Sequence, residues 1–96
     1  MTQPLTVIAT ITAQPGAEVA VRQALEQVVP PSRAETACRR YELHVDNTDP
    51  GKFVMLEEWD SQAALTEHEA TPHFQALGAA IGGRAAVRIE KFTKIA

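Results

Sequence analysis

The segment EHEATPHFQAL, residues 67–77, carries two of the chain's three histidines, His68 and His73, five positions apart with Pro72 between them. Imidazoles so placed could bind a metal, move protons or cap a restarted helix. A metal pair on one helix face asks for i, i+4 spacing; at i, i+5 the side chains diverge by roughly 140°, and Pro72 interrupts the helix in any case. One cysteine, Cys38, and three histidines at such spacings supply no closed ligand shell, so no metal is expected. Thr71-Pro72 instead matches an N-cap followed by proline at the first helical position. One helix therefore stops near Ala70, and another begins with PHFQALGAAI.

The two histidines are not equivalent. His68 shares a face with Ala64 and Leu65 near the centre of an apolar stripe, so it should point inward, either as a core histidine satisfied by one hydrogen bond or as a base facing a ligand. His73 lies on the flank of the face made by Phe74, Leu77 and Ile81, where a packing or cap contact is expected. His44 belongs to a polar strand face. Glu57 and Glu58 point to opposite faces and cannot form a carboxylate dyad; at least one of them should be solvated.

These residues need elements to hold them. LTVIATITA (5–13) alternates as a strand with one apolar and one mixed face, and Gln14-Pro15-Gly16 ends it in a turn. Val21, Leu25 and Val28 then recur at helical spacing, until Pro30-Pro31 should break or kink the helix, although SRAE could add another turn after the kink. A half-buried strand starts near Cys38, with Tyr41, Leu43 and Val45 on its apolar face. NTDPGK makes a turn, and KFVMLEEWD follows as a strand with Phe53, Met55 and Trp59 on one face and Val54 and Leu56 on the other. SQAALTEHEA is a short helix capped by Ser61, and AAVRIEKFTKI reads as the last strand. The order β-α-β-β-α-β is the split arrangement of an α+β, ferredoxin-like fold. Its helices can cover one sheet face only, so Val54 and Leu56 call for a second copy of the chain.

Composition sets bounds. The 96 residues, 45% of them hydrophobic and 22% charged, fit a single domain over 1–96. A net charge of −3 without a basic run offers no footprint for nucleic acid or anionic lipid. No apolar stretch approaches the roughly 20 residues of a membrane span, the N-terminus lacks the layout of a secretory signal, and a lone cysteine suits a reducing compartment; a cytoplasmic protein is expected.

Cys38, Tyr41, Glu42 and Leu43, then Glu57 and Trp59, then Ala64, Leu65, His68, Thr71, Pro72, His73 and Phe74 together resemble the antibiotic-biosynthesis monooxygenase (ABM) superfamily. The resemblance extends to ITAQPGAE at the start of the first helix and so spans nearly the whole chain. It implies a homodimer joined through its sheets as an αβ barrel, with a pocket in each subunit between sheet and helices. Members include cofactor-free oxygenases of quinols and polycyclic phenols, haem-degrading enzymes and an isomerase of a phosphorylated sugar. Strand 1 lacks the asparagine of the haem-degrading branch, and Arg33, Arg40 and Arg84 are too scattered for a phosphate pocket. The quinol-oxidising branch is nearest.

In that branch a base deprotonates a phenol or hydroquinone, and the electron-rich anion reduces dioxygen without metal or flavin inside an apolar wall. The resemblance makes His68 the base, Trp59 and Phe74 the wall, and Tyr41 or Arg33 a hydrogen-bond partner for a substrate oxygen. The rival expectation is a non-catalytic domain that binds or senses a small molecule, with His68 satisfying a buried partner.

Overall fold

The computed structural model describes residues 3–96. The elements run β1 (Leu5–Ala13), α1 (Glu18–Arg33), β2 (Cys38–Val45), β3 (Lys52–Trp59), α2 (Gln62–Glu69), α3 (Pro72–Ile81) and β4 (Ala85–Phe92). All neighbouring strands pair antiparallel in the order β2-β3-β1-β4, which is the ferredoxin-like α+β architecture.

Alternation decides what each face meets. Val7, Ala9 and Ile11 of β1 and Phe53, Met55 and Trp59 of β3 are buried on the helix side. They meet Val21, Leu25 and Val28 of α1 and Leu65 of α2 in one core. Gly16 takes the positive φ of 90° that the turn into α1 requires, a region closed to most side chains.

Of the alternatives at Pro30-Pro31, the helix takes the added turn and not the break: α1 is continuous to Arg33, with both prolines inside it. They sit in its last turn, so the ladder loses two donors, those that would meet the Glu26 and Gln27 carbonyls, while the Ala34 amide still reaches the Pro30 carbonyl at 3.2 Å. Ser32 is buried in phase with Val21, Leu25 and Val28, so the helical face carries on through the prolines. The break between α2 and α3 falls where the sequence places it. Ser61 Oγ accepts from the Ala64 amide at 3.2 Å, and Thr71 Oγ1 accepts from the Phe74 amide at 3.3 Å. No helix among the described residues is long and apolar enough to cross a membrane.

The other sheet face has no helix on it. Ile8 lies directly across from Leu56 and Thr10 from Val54, while Phe92, 46% exposed, pairs with Thr6 on the same side. Each Å² of apolar surface removed from water contributes about 25 cal/mol, so covering this patch is worth several kcal/mol. We expect a homodimer through this face. Light scattering at micromolar concentration should give twice the chain mass, and Leu56→Arg should shift it toward the monomer; a monomeric wild type would contradict the expectation.

Candidate functional site

His68 projects from α2 into the core and is 1% exposed. Four aromatic rings surround it. The Trp59 indole lies 4.5 Å from the imidazole at a tilt of 36°, and the Phe74 and Tyr41 rings present edges at 5.0 and 5.4 Å. The fourth is His73, at 5.9 Å. His68 Nδ1 sits 2.6 Å from Glu35 Oε2, and His73 Nε2 reaches the same oxygen at 2.7 Å. An ionised carboxylate only accepts, so both ring nitrogens donate to it. That assignment leaves His68 Nε2 with a lone pair in the neutral ring, and this atom is buried with no partner among the described residues.

The expected divergence of the two histidines is therefore overturned. The wheel angle applies to an uninterrupted helix, whereas Thr71 resets the chain direction between α2 and α3, and both imidazoles converge on one oxygen. Glu35 holds the point of convergence from the turn after α1. Its amide donates to the Ser32 carbonyl at 3.1 Å, and its carbonyl accepts from the Cys38 amide at 3.0 Å.

A cavity of about 260 Å³ lies between the sheet and α3. Tyr41, Met55, Glu57, Phe74, Leu77 and Ile81 are among its lining residues. Val87 and Ile89 of the edge strand β4, both about half exposed, also line it. Two of its fourteen lining residues, Tyr41 and Glu57, carry a polar side-chain group, and their strands place them directly opposite each other. The Trp59 indole N–H donates to Glu57 Oε1 at 2.9 Å. Burial pushes the Glu57 carboxyl up to about 7; the Trp59 hydrogen bond opposes this, and the charges of Glu69 and Glu35 add to it. Burial first, and then the Glu57 charge, also push the Tyr41 phenol well above its usual range, so it acts as a hydrogen-bond donor rather than a base.

Of the residues singled out in the sequence, Tyr41 and Phe74 line the cavity, and each packs the edge of its ring against His68. Trp59 and His68 stand behind that wall. Arg33 is set apart: its Nε donates to the Tyr41 backbone carbonyl at 2.9 Å and so braces β2 against the end of α1. His44 is exposed, and Cys38 is half buried. Glu35 and Glu57 are the additions. Glu57 carries a readable signal, because it falls in the alternation Phe53, Met55, Trp59; Glu35 carries none, because it sits in an irregular turn.

Glu35, His68 and His73 could also hold a metal, since their donor atoms all lie within 4.8 Å of one another. Coordination through His68 Nδ1 would force the ring proton onto Nε2, where no acceptor waits, at a cost of about 1–3 kcal/mol. Without a metal, Glu35 Oε2 already receives both His68 Nδ1 and His73 Nε2. We expect elemental analysis of untagged protein to find zinc, iron and copper well below one per chain; a stoichiometric ion would contradict this.

The family model for antibiotic biosynthesis monooxygenase matches residues 4–80. "Probable quinol monooxygenase YgiN" of Escherichia coli is 36% identical over 89 residues, which cover 82% of this chain and 86% of that protein. The crystal structure of PA3566 from Pseudomonas aeruginosa superimposes with a TM-score of 0.95 at 41% identity, covering 100% of this chain and 98% of the other. Rv0793 from Mycobacterium tuberculosis gives a TM-score of 0.90 at 33% identity over 97% and 96% of the two chains.

Proposed function

The chain belongs to the antibiotic biosynthesis monooxygenase family, and on that premise we propose that it oxidises a small quinol or phenol with dioxygen, without metal or flavin, using His68 as the base. The observation that carries the reading is the apolar cavity beside α3, with a buried imidazole of fixed tautomer packed directly behind its Tyr41–Phe74 wall. The relative named "Probable quinol monooxygenase YgiN" supports the same substrate class.

The base removes a hydroxyl proton, and the resulting anion is electron-rich enough to pass electrons to dioxygen. One oxygen atom enters the ring and the other leaves as water, so hydroquinone and dioxygen balance as hydroxyquinone and water. Glu35 stabilises the imidazolium that forms on His68 and holds the ring in the tautomer whose Nε2 can accept. The apolar lining keeps the reactive intermediate from water. Phe74, in the first turn of α3, would have to swing its ring aside for a substrate oxygen to meet Nε2. The rest of the reading places a homodimer of single-domain chains in the cytoplasm, the latter resting on the lone, half-buried Cys38.

A non-catalytic binding domain is the second reading, favoured by the sealed position of the His68 ring. Oxidation of hydroquinones under ¹⁸O-labelled dioxygen separates the two. A hydroxyquinone carrying one heavy oxygen is the product expected of a monooxygenase and quinone without label that of an oxidase; unchanged substrate would overturn the proposal.

A further inference from the structure

Glu57 is the one ionisable carboxyl in a cavity wall that is otherwise aliphatic, aromatic or glycine, apart from the Tyr41 hydroxyl. The residue is 6% exposed, and its position is fixed twice, by the β3 backbone and by the Trp59 indole bonded to Oε1. The other oxygen, Oε2, has no hydrogen-bond donor among the described residues, although the side chain borders open space. A carboxylate oxygen that reaches open space in an apolar wall and has no protein donor is a place for a ligand's donor. No lysine, arginine or histidine lines the cavity to receive an anion.

We infer that Glu57 Oε2 anchors the ligand through one hydroxyl hydrogen bond and makes the cavity selective for uncharged hydroxyarenes over their O-methylated and anionic counterparts. A cavity of about 260 Å³ lies at the low end for small-molecule sites and suits one aromatic ring. The ring gains contact with Met55, Phe74, Leu77 and Ile81, and its hydroxyl donates to Oε2. A methoxy group in its place has no proton to give the carboxylate oxygen in an apolar wall; sites built around a hydroxyl discriminate strongly on that ground. A carboxylate or phosphate on the ring meets like charge with nothing to neutralise it. Glu57 is thus a specificity-determining residue. This rests on the oxidation reading for its substrate class but not for its binding geometry.

The chain has one tryptophan, and its indole N–H is bonded to Glu57. The single indole resonance of ¹⁵N-labelled protein therefore reports on this carboxyl without turnover. Titrations under argon at pH 8, where Glu57 is mostly ionised, compare hydroquinone, 1,4-dimethoxybenzene and 4-hydroxybenzoate. Hydroquinone should shift the peak saturably and bind at least about tenfold tighter than the other two, the kind of margin a lost buried hydrogen bond produces. In Glu57→Gln the amide oxygen can still accept from Trp59, so the peak persists, but an N–H now faces the cavity. The preference for hydroxyl over methoxy should then collapse to within about twofold. Equal affinity for the dimethoxy compound in the wild type, tighter binding of 4-hydroxybenzoate, or no shift with hydroquinone at millimolar concentration would each overturn the inference. A saturable shift without oxygen uptake in air retains the anchor and removes the oxidation; uptake without any indole shift does the reverse.

Discussion

His68→Gln lowers the rate of quinol oxidation by roughly 10²–10⁴, the usual contribution of a positioned base, while leaving the fold in place. Glutamine is similar in size and polar, and its amide N–H can take over the bond to Glu35 that Nδ1 makes at 2.6 Å. What it lacks is a basic nitrogen at the position of Nε2. The loss should fall on kcat and on kcat/KM alike, because a base acts in the transition state and not in ground-state binding. Glu35→Gln should give a smaller loss in the same two quantities, since it removes the charge that steadies the imidazolium but leaves the ring. Steady-state kinetics with thermal melts on the same samples provide the check. A His68→Gln variant as active as wild type, with only its melting temperature changed, would reassign the residue to the core.

Glu57→Gln should stabilise the protein at alkaline pH and not at acid pH. Burial raises the folded-state pKa of Glu57 from 4.5 to about 7, so the folded protein favours the neutral carboxyl. Below about 4.5 the group is protonated in both states and the contribution is intact. As pH rises through 4.5 the unfolded chain ionises first, and stability is lost until the folded carboxyl ionises near 7, a difference on the order of 3 kcal/mol. Glutamine mimics the neutral carboxyl at every pH. The gap between variant and wild type should therefore grow from near zero at pH 4.5 to a few kcal/mol at pH 8, about 10 °C or more in melting temperature for a chain of this length. Melts across that range at fixed protein concentration test this, and a gap that does not depend on pH would show that the carboxyl is not held neutral.

Local pattern carried far in this chain, and it stopped at identifiable places. The alternation in LTVIATITA is enough to bound β1 and to name Val7, Ala9 and Ile11 as its buried side, because a sheet with one covered face imposes a period of two. Thr71-Pro72 marks the restart of the helix because its chemistry is local: a hydroxyl cap and a proline that needs no donor. The inward orientation of His68 follows from Ala64 and Leu65. Its partner does not. Glu35 is 33 residues away in a turn between α1 and β2, and only the tertiary packing of α1 beside α3 brings it to both imidazoles. At Pro30-Pro31 proline chemistry alone leaves a break or an added turn open, and the buried Ser32 in phase with Val28 goes with the added turn. Glu57 is a different case: the alternation places it inward beside Trp59, and a charged residue on an apolar strand face is itself a signal of function.

The central claim is that these side chains alone support oxidation by dioxygen. Its most direct test is an oxygen electrode with hydroquinone and protein stripped by chelator. The account predicts uptake of one dioxygen per quinol consumed, at a rate that chelator does not lower and that falls with His68→Gln. No uptake with any one-ring quinol, or uptake that appears only when a metal ion is added back, would contradict it.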